Sequence, residues 1–451
     1  MRKHAGLVLF GALGALFAFA PGCDSDGGGG NGGSGGTAGT GGTGGTGGNG
    51  GTLCVTPGSV VTLPSEISAD ATLTSDCTYR LSDKTYVTAG TTTIEPGTRI
   101  IGDPAAALVV TRDGMIDAEG TEAEPIVFTS SAPEGARAPQ DWGGVVLLGS
   151  AVLSWGDNQC GGDTGVVCEG SIEGIDDQEE RGKFGGSDDT HNCGTMKYVR
   201  IEFAGFRVSE GNELNSLSVG GCGSDTTLDY IQLHLGEDDG AEFYGGTVSI
   251  SHLVVSNTGD DGLDWDQGWR GSATNFIVDH QLPKSGNPNG IEADNSGDRP
   301  NAEPRSNPTI TNGTLIGAPD TLFGMHLRRG TIGSLSGLIV TGFADAGIDV
   351  DGTGWDGAWP TTFSVRDSCF WNNNPDYAVD ENDPEKEPSD PALYFDEPTE
   401  LADGLGNTTD QDPELADPAN NDYAAGNENC AGAFAPDGVD WTTNWTSYPA
   451  N

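Results

Sequence analysis

The stretch DDGLDWDQGW occupies residues 260–269, and a similar stretch, DDGAEFYGG, occupies residues 238–246. Each places two acids and a glycine before a run in which apolar and polar side chains alternate. Three later stretches, GIEAD, GMHLR and GIDVD, repeat the order glycine, apolar, polar, apolar. Successive copies begin 22, 28, 34 and 23 residues apart, so the pattern indicates a repeating structural unit. The copies begin at Gly240, Gly262, Gly290, Gly324 and Gly347.

The repeat also predicts the fold class. Short apolar runs with period-two alternation, separated by Gly, Asp, Asn and Pro, are typical of β-strands, and helical periodicity is nearly absent. A second apolar strand follows each copy, as in TVSISHLVV at residues 247–255. A base interval near 22 residues with two or three strands matches one coil of a parallel β-helix, whose coils stack to bury their apolar faces. A propeller blade would need about 40 residues, and a sandwich would not repeat the same strand types in one order.

We therefore predict an all-β protein with a right-handed parallel β-helix over residues 53–380. The Gly-rich residues 23–52 are expected to form a flexible tether. Residues 381–451 are acidic and rich in Pro and Asn, and we expect irregular loops that fold back and end in a cap around GAFAPDGVDWTTNWTSY. A cap is expected because a solenoid otherwise exposes the edges of its last strands.

Residues 1–22 have the features of a secretory signal, since the basic MRKH precedes an apolar run that is short for a membrane span. The segment resembles a bacterial lipoprotein signal. That resemblance implies a lipid on Cys23 and a protein anchored in the cell envelope, at the outer membrane or the cell surface. Ordinary secretion, with an incidental cysteine at this position, is the alternative.

The chain has nine cysteines, and eight remain if Cys23 carries lipid. An even number in an exported chain indicates disulfides. Pairing between neighbours in the sequence is the simplest expectation, although spacing alone does not determine connectivity. These pairs would be Cys54–Cys77, Cys160–Cys168, Cys193–Cys222 and Cys369–Cys430.

The charge of the chain excludes one class of partner. There are 68 acidic and 20 basic residues, a formal net charge of −48. Such a chain is unsuited to nucleic acid or to anionic lipid headgroups, because both are negatively charged. The charge favours cations or cationic partners, and we expect a monomer.

In the five glycine-led strands, alternation predicts that apolar side chains point inward and that the residues between them point outward. Stacking the strands then produces two outward columns that share one patch. Seven carboxylates lie in this patch with one histidine and one arginine, and like charges at such spacing repel by roughly 1 kcal/mol per pair. One column is Glu242, Asp264, Glu292, His326 and Asp349, and the other is Tyr244, Asp266, Asp294, Arg328 and Asp351.

Several stretches, among them TTTIEPGTRIIGD, MKYVRIEFAG and GAFAPDGVDWTTNWTSY, resemble a family of exported bacterial β-helix proteins. The resemblance covers most of the mature chain and extends remotely to the pectate-lyase-like superfamily. It implies the fold and carbohydrate ligands, and it implies no particular activity. Pectin hydrolases of similar fold carry N-T-D and R-I-K motifs, which are missing here, so hydrolase activity is in doubt.

Three chemical outcomes are open for the acidic patch: bound cations, raised pKa values, or pairing with Arg328. Carboxylate oxygens suit Ca²⁺, and a pair of carboxyls or an arginine beside carboxylates could serve a glycoside hydrolase or a polysaccharide lyase. Nearby tryptophans could stack on sugar rings. The candidate metal ligands are Glu242, Asp264, Asp266, Glu292, Asp294, Asp349 and Asp351. The candidate catalytic residues are Asp264, Asp266, Glu292, Asp294, His326 and Arg328, and the candidate sugar platforms are Trp269, Trp355 and Trp359.

Plainer interpretations compete with each of these. A solvated acidic surface is common in an acidic protein, an arginine among acids balances charge, and Asp-Asp-Gly at a corner is ordinary turn chemistry. The sequence leads us to expect an envelope lipoprotein whose acidic, cation-binding surface binds or processes polysaccharide. The alternative is a non-catalytic surface or adhesion module with structural calcium.

Overall fold

The computed structural model describes residues 51–154, 167–209, 211–282, 286–297, 299–351, 358–378, 395–401, 404–434 and 438–450. Cys23 and Trp355 lie outside these residues. Parallel strands stack in three columns, and each coil except the last contributes one strand segment to each column among the described residues. This arrangement is the parallel β-helix that the glycine-led repeat predicts.

The first two columns form one 16-stranded sheet. Its first column begins with short strands, β1 (Gly51–Thr52), β4 (Ala71–Leu73), β7 (Gly90–Ile94) and β10 (Gly114–Glu119), and ends with β29 (Ser364–Arg366). Its second column begins with β2 (Val60–Thr62), β5 (Thr78–Leu81), β8 (Arg99–Gly102) and β11 (Ile126–Ser130), and ends with β30 (Cys369–Trp371). Between them, long strands serve both columns: β15 (Gly194–Glu202), β19 (Thr227–His234), β21 (Ser249–Ser256), β23 (Ser272–Asp279), β25 (Thr309–Ile316) and β27 (Ser334–Thr341).

Each long strand turns a corner at one residue in the left-handed region. In four of these strands the corner residue is Tyr198 (φ 50°), Tyr230 (φ 53°), His252 (φ 50°) or Asn275 (φ 54°). The corner explains why a single eight- or nine-residue strand pairs with two columns. It also stacks the side chains at the corner, since the rings of Tyr230 and His252 lie 4.1 Å apart and nearly parallel.

The third column is a separate ten-stranded parallel sheet, and the five glycine-led copies form its last five strands. Its strands are β3 (Glu66–Ile67), β6 (Thr85–Val87), β9 (Ala107–Val110), β12 (Gly144–Leu148), β18 (Leu217–Gly220), β20 (Ala241–Tyr244), β22 (Leu263–Asp266), β24 (Ile291–Ala293), β26 (Phe323–Leu327) and β28 (Ala346–Val350).

The remaining elements are small. Three antiparallel pairs are β13 (Gly170–Ser171) with β14 (Lys183–Phe184), β16 (Arg207–Ser209) with β17 (Asn212–Glu213), and β31 (Leu415–Asp417) with β32 (Asp422–Ala425). In the part of the chain that the structure describes, the helices are α1 (Glu397–Glu400) and two single 3₁₀ turns, Glu180–Gly182 and Pro418–Asn420. Among the described residues, no helix has the length and apolar character that crossing a membrane requires.

The predicted inward residues fill the interior between the columns. Each glycine-led strand buries two apolar side chains, and the largest of them, Trp265, has no exposed surface. The predicted pairs are all buried: Ala241 and Phe243, Leu263 and Trp265, Ile291 and Ala293, Met325 and Leu327, Ile348 and Val350.

Disulfides join neighbouring cysteines as predicted for Cys54–Cys77, Cys193–Cys222 and Cys369–Cys430. Cys168 is also disulfide-bonded, and its predicted partner, Cys160, lies outside the described residues.

The C-terminal residues differ from the predicted cap. The end of the stack is covered by residues 395–401, where Glu397 Oε1 accepts the backbone N–H of Val350 at 2.9 Å and Phe395 and Leu401 enter the core. Thus the prediction of a cap around GAFAPDGVDWTTNWTSY was wrong in position. An apolar sheet end needs buried side chains over it, and Phe395 and Leu401 supply them.

The segment predicted as the cap instead runs along the outside of the second column, as part of a strap formed by residues 411–434 and 438–450. Tyr423 donates a hydrogen bond to Asp279 Oδ2 at 2.8 Å, and Gln232 donates one to the Ser447 carbonyl at 2.8 Å. Trp445 is fully buried against the corner tyrosines. The strap covers apolar side chains that the outer face of this column would otherwise expose.

A substitution at a glycine corner tests the stacking. A Cβ built on Gly262 would lie 2.3 Å from Val278 Cγ1 and 2.8 Å from the carbonyl oxygen of Gly290, so no side chain fits. We expect Gly262→Ala to lower the free energy of unfolding by about 1–3 kcal/mol, the usual range for overpacking. Denaturant unfolding measures the loss.

Gly297→Ala is the matched control, because its Cβ would meet nothing closer than 3.8 Å. Equal stability of the two variants would contradict the close approach of successive corners.

Candidate functional site

The outer face of the third sheet is divided into an apolar part and an acidic part. On the upstream strands the outward residues are apolar, such as Val109 and Val146, and residues 168–186 cover them with Phe184 and Ile172. From β20 onward the outward residues are the predicted acids. We call this part the acidic face and define it as residues 238–244, 260–266, 289–294, 324–328 and 347–351.

The predicted outward column is in register. Glu242 pairs with Asp264, Asp264 with Glu292, Glu292 with His326, and His326 with Asp349 on successive parallel strands. Because side chains at paired positions leave the same side of a sheet, these five side chains form one ladder with a spacing of about 4.8 Å.

The second column follows the same register. Tyr244 pairs with Asp266, the Asp294 N–H bonds to the carbonyl of Trp265, and the Arg328 N–H bonds to the carbonyl of Ala293. The Asp351 N–H continues this series to Leu327.

The aspartates before the glycines have a backbone role. Asp239 Oδ1 accepts the N–H of Asp261 at 2.9 Å, and Asp261 Oδ1 accepts the N–H of Asn289 at 2.7 Å. Asn289 Oδ1 in turn accepts the N–H of Phe323 at 3.0 Å. This ladder explains the second acid of each DDG, and it adds two buried carboxylates, Asp239 and Asp261, that sequence reasoning assigned to turns alone.

These additions bring the acids into two compact triads. Asp239, Glu242 and Asp264 form one, and Asp261, Asp264 and Glu292 form the other, with one carboxylate oxygen of each member within 4.8 Å of the others. Asp264 belongs to both, and its Oδ1 atom is buried with no hydrogen-bond partner among the described residues. Asp266 Oδ1 is buried and unpartnered in the same way.

Burial controls the protonation of this cluster. It raises the pKa of Asp264 well above the ordinary value, and the charges of Glu242 and Asp261 raise that pKa further. Burial likewise raises the pKa of Asp239, of Glu242 and of Asp261. The metal-free face therefore holds protons at a pH where exposed carboxyls have lost them.

The downstream part of the face is neutralised by basic side chains. The Arg328 guanidinium contacts Glu292, and its Nε donates to Asp294 Oδ1 at 2.9 Å. Arg329 donates to the other Asp294 oxygen at 2.6 Å. Even so, burial raises the pKa of Asp294 to about 6, against the lowering effect of Arg329.

His326 is held among carboxylates. Its Nε2 lies 2.8 Å from Asp351 Oδ2 and 3.8 Å from Asp349 Oδ2, and its Nδ1 lies 4.0 Å from Glu292 Oε2. The predicted residues Glu292, His326, Asp349 and Asp351 therefore do meet, as a cluster next to the acid triads.

The upstream wall of the face was not anticipated from the sequence. Asn215 Nδ2 donates to Glu242 Oε2 at 2.7 Å, and the Tyr244 hydroxyl donates to the same carboxylate. Glu173, from the covering segment, lies 3.4 Å from the Tyr244 hydroxyl, and burial raises the pKa of Glu173. Asn215 lacks the glycine-led pattern, so only the fold brings it here.

The predicted aromatic platforms are not available as sugar-stacking surfaces in the described residues. Trp269 is fully buried, stacks on Phe243 with ring centres 4.5 Å apart, and donates to the carbonyl of Val248. That prediction was wrong, because the ring fills the interior. Trp359 is partly buried and packs edge-on against Phe363 and Phe395 in the end cap, while Trp355 lies outside the described residues.

The donor set of the two triads fits a hard divalent cation. All five members are carboxylates, each triad offers three oxygens, and the shared member, Asp264, has a buried oxygen without a hydrogen-bond partner among the described residues. Calcium prefers six to eight oxygen ligands at 2.3–2.6 Å, so carboxylates that bind through two oxygens, with water, would complete its shell.

The chain is thus a parallel β-helix with an acidic outer face on its third sheet. The chain belongs to the family of the pectate-lyase like beta helix domain, whose model matches residues 65–446. Membership in this family indicates a carbohydrate-related or surface function. Neither the curated proteins nor the solved structures contain a match to the chain.

The raised pKa values predict a pH dependence of stability without metal. The native state holds protons that the unfolded chain releases near pH 4, so native stability is greatest at low pH and falls as the pH rises through the native pKa values. We expect the Tm in EDTA to fall by at least about 3 °C between pH 5 and pH 8, as one kcal/mol corresponds to about 2–4 °C.

The fall should be smaller in Asp261→Asn, which keeps the oxygen that accepts the Asn289 N–H. Carboxyls with lowered pKa, such as Glu179 at about 2, are ionised in both states above pH 5 and do not contribute. A Tm that rises between pH 5 and pH 8 would contradict the buried, protonated face. Differential scanning calorimetry of the wild-type protein and of Asp261→Asn measures the two changes in Tm.

Proposed function

We propose that this protein is a surface module that binds polysaccharide through Ca²⁺ held on the acidic face. The observation that carries the proposal is the pair of carboxylate triads that share Asp264, whose Oδ1 is buried without a hydrogen-bond partner among the described residues. Buried carboxylates within 4.8 Å of one another are unfavourable as anions, and a divalent cation removes that cost.

A cation at this position also supplies a ligand site. Its inner ligands come from the protein on one side, and the outer side faces solvent, since Asp264 and Glu292 are only partly buried. Carboxylates or hydroxyls of a sugar chain would complete the coordination there. Because Trp269 is buried and Trp359 packs in the end cap, coordination rather than ring stacking is the recognition chemistry we assign to this face.

Binding is favoured over catalysis by the state of the two basic candidates. Arg328 is engaged by Glu292 and Asp294, and His326 by Asp351, so neither is positioned as a free proton acceptor. A lyase or glycoside hydrolase would need one of these groups, or a protonated carboxyl, directed at the substrate.

The cellular setting is part of the same proposal. The signal at residues 1–22 supports export, Cys23 would carry the lipid, and the Gly-rich residues 24–52 would let the β-helix stand away from the membrane. The acidic face would then meet polysaccharide of the envelope or of the surroundings.

Binding to polyuronates tests the function. In Ca²⁺ we expect the protein to be retarded by polygalacturonate or alginate in affinity electrophoresis, and we expect EDTA to abolish the effect. Asp264→Asn should weaken retardation at least about tenfold, because losing a charged ligand costs more than 1.4 kcal/mol. Glu119→Gln, an exposed acid on the first column, is the control.

Absence of binding to any of a broad set of acidic and neutral polysaccharides would contradict the proposal. If EDTA nevertheless lowered the Tm strongly, the result would favour the alternative, a non-catalytic adhesion module in which calcium is structural. Absorbance at ultraviolet wavelengths during the same incubation would detect lyase products and so test the assignment of binding without turnover.

A further inference from the structure

Lysine and arginine are scarce in this chain, 20 against 68 acids, yet two arginines face outward side by side on the second column. Arg99 lies in β8 and Arg200 in β15, and both pair in register with Val127 of β11, the strand between them. Residues at paired positions leave the same side of a sheet, so the two side chains start about 9–10 Å apart, two strand spacings.

That side is the outside of the stack. Ile126 and Phe128, the neighbours of Val127 in its strand, belong to the main core, so Val127 points the opposite way. Even so, Val127 is only 8% exposed. Arginine side chains can cover such a residue with their apolar stems while their charged ends stay near solvent.

A third arginine approaches from the loop after β11. This residue, Arg137, is anchored by its Nε, which donates to the Ala132 carbonyl at 3.2 Å. Burial lowers the pKa of Arg99, and the positive charges of Arg137 and Arg200 lower that pKa further. The guanidinium groups are therefore close enough to repel one another.

Nearby carboxylates do not balance this charge. Among the described residues, Arg99 makes neither a hydrogen bond nor an ion pair. The buried Glu202 lies 3.3 Å from Arg200 Nε, and this N–H still has no hydrogen-bond partner in the described part of the chain. Glu134 is exposed on the loop of Arg137, where solvent screens its charge. Three guanidiniums beside Glu202 thus leave about two positive charges.

A buried hydroxyl supplies an independent indication of a ligand. Thr129 lies two residues after Val127 in β11, so it leaves the same side of the sheet. It has no exposed surface, and its Oγ1 has no hydrogen-bond partner among the described residues. Burying a hydroxyl without a partner is unfavourable, and an oxygen of a bound anion would accept its hydrogen.

We propose that Arg99, Arg137, Arg200 and Thr129 form a binding site for a tetrahedral dianion, the chemistry of phosphate, sulfate and the phosphate monoester of a sugar. We call these four residues the arginine site. Guanidinium groups bind such oxyanions through paired N–H donors, and the two charges of a dianion match the excess at this site. The site lies on another sheet from the acidic face and requires no cation, so it goes beyond the proposed function.

The competing interpretation is that the arginines only cover an apolar strand. In that case, positive charge would attract every anion weakly and in proportion to its charge, with no dependence on shape. The hydroxyl of Thr129 would then be a structural cost with no ligand. Discrimination between anions and the effect of the hydroxyl therefore separate the two interpretations.

Isothermal titration of the purified chain with sodium phosphate tests the site, at pH 7.5 in EDTA and physiological salt. We expect one phosphate per chain. Arg99→Gln and Arg137→Gln should each weaken binding at least about tenfold, because each removes a charged donor. Arg80→Gln is the matched control, since Arg80 lies one coil upstream and is paired with Asp103 at 2.8 Å. It should change the affinity by less than about threefold.

Thr129→Val tests the buried hydroxyl. It should weaken phosphate binding while the Tm without phosphate stays equal or rises, because the hydroxyl has no protein partner to lose. The arginine variants should keep their Tm without phosphate to within a few degrees, which shows that they are folded. Glucose 6-phosphate distinguishes the sources: equal binding supports a sugar phosphate as the ligand, and binding of inorganic phosphate alone supports the free ion.

Three results would overturn the arginine site. They are no saturable binding of phosphate by wild type, equal binding by Arg99→Gln, and competition by acetate as strong as by phosphate at equal ionic strength. Retardation by polygalacturonate in Ca²⁺ should be unchanged in Arg99→Gln, so the arginine site and the proposed function can fail separately.

Discussion

Backbone pairing between successive coils sets a single spacing for the third sheet, and the acidic face depends on that spacing. Each glycine-led strand lies one strand distance from the next, with a glycine corner so close to its neighbour that no side chain fits. As a result, outward residues at equal positions cannot separate to relieve repulsion. Acids placed in the ladder by the sequence stay near one another, whatever their charge.

Under this constraint, burial lets the acids accept backbone hydrogen bonds but makes their ionised forms unfavourable. The side chains of Asp239 and Asp261 hold the corners together by accepting backbone N–H groups, which requires them to be buried. The same burial raises their pKa values and those of Glu242 and Asp264. Protons, Arg328 and Arg329 relieve part of the repulsion, and a cation would relieve the part that surrounds Asp264. Binding of the proposed cation would therefore stabilise this face.

In the upstream part of the same sheet, the outer surface is apolar and is shielded from solvent by another part of the chain. There the outward residues are apolar, and residues 168–186 fold over them, while the strap covers the outside of the second column. Two of the faces are thus covered by the chain itself. On the acidic face charged side chains take the place of apolar ones, and among the described residues Asp264, Asp266 and Glu292 keep part of their surface exposed.

Much of this arrangement could be predicted from the sequence, because period-two alternation and a repeated glycine are local features. They identified the stacked strands, the buried residues such as Trp265, and the outward ladder from Glu242 to Asp349. The predictions that failed concern side chains whose positions depend on contacts between residues distant in the chain. Trp269 follows β22 in the sequence, so we expected it in an exposed loop, but the turn after the strand directs its ring into the core.

The cap and the wall of the face are further examples of distant contacts. The aromatic C-terminal stretch has the composition of a cap, yet the apolar surface that attracts Trp445 lies on the side of the stack and not at its end. Asn215 reaches Glu242, and Glu173 reaches the Tyr244 hydroxyl, only because an earlier coil and a covering segment converge there. No periodic signal marks such residues.

Anomalous scattering from crystals grown with Ca²⁺, or with a lanthanide in its place, tests the central claim most directly. The account predicts a peak on the outer side of the third sheet, at coordinating distance from the Asp264 carboxylate. A map without peaks at Asp264, or with the ion bound only elsewhere on the chain, would contradict it.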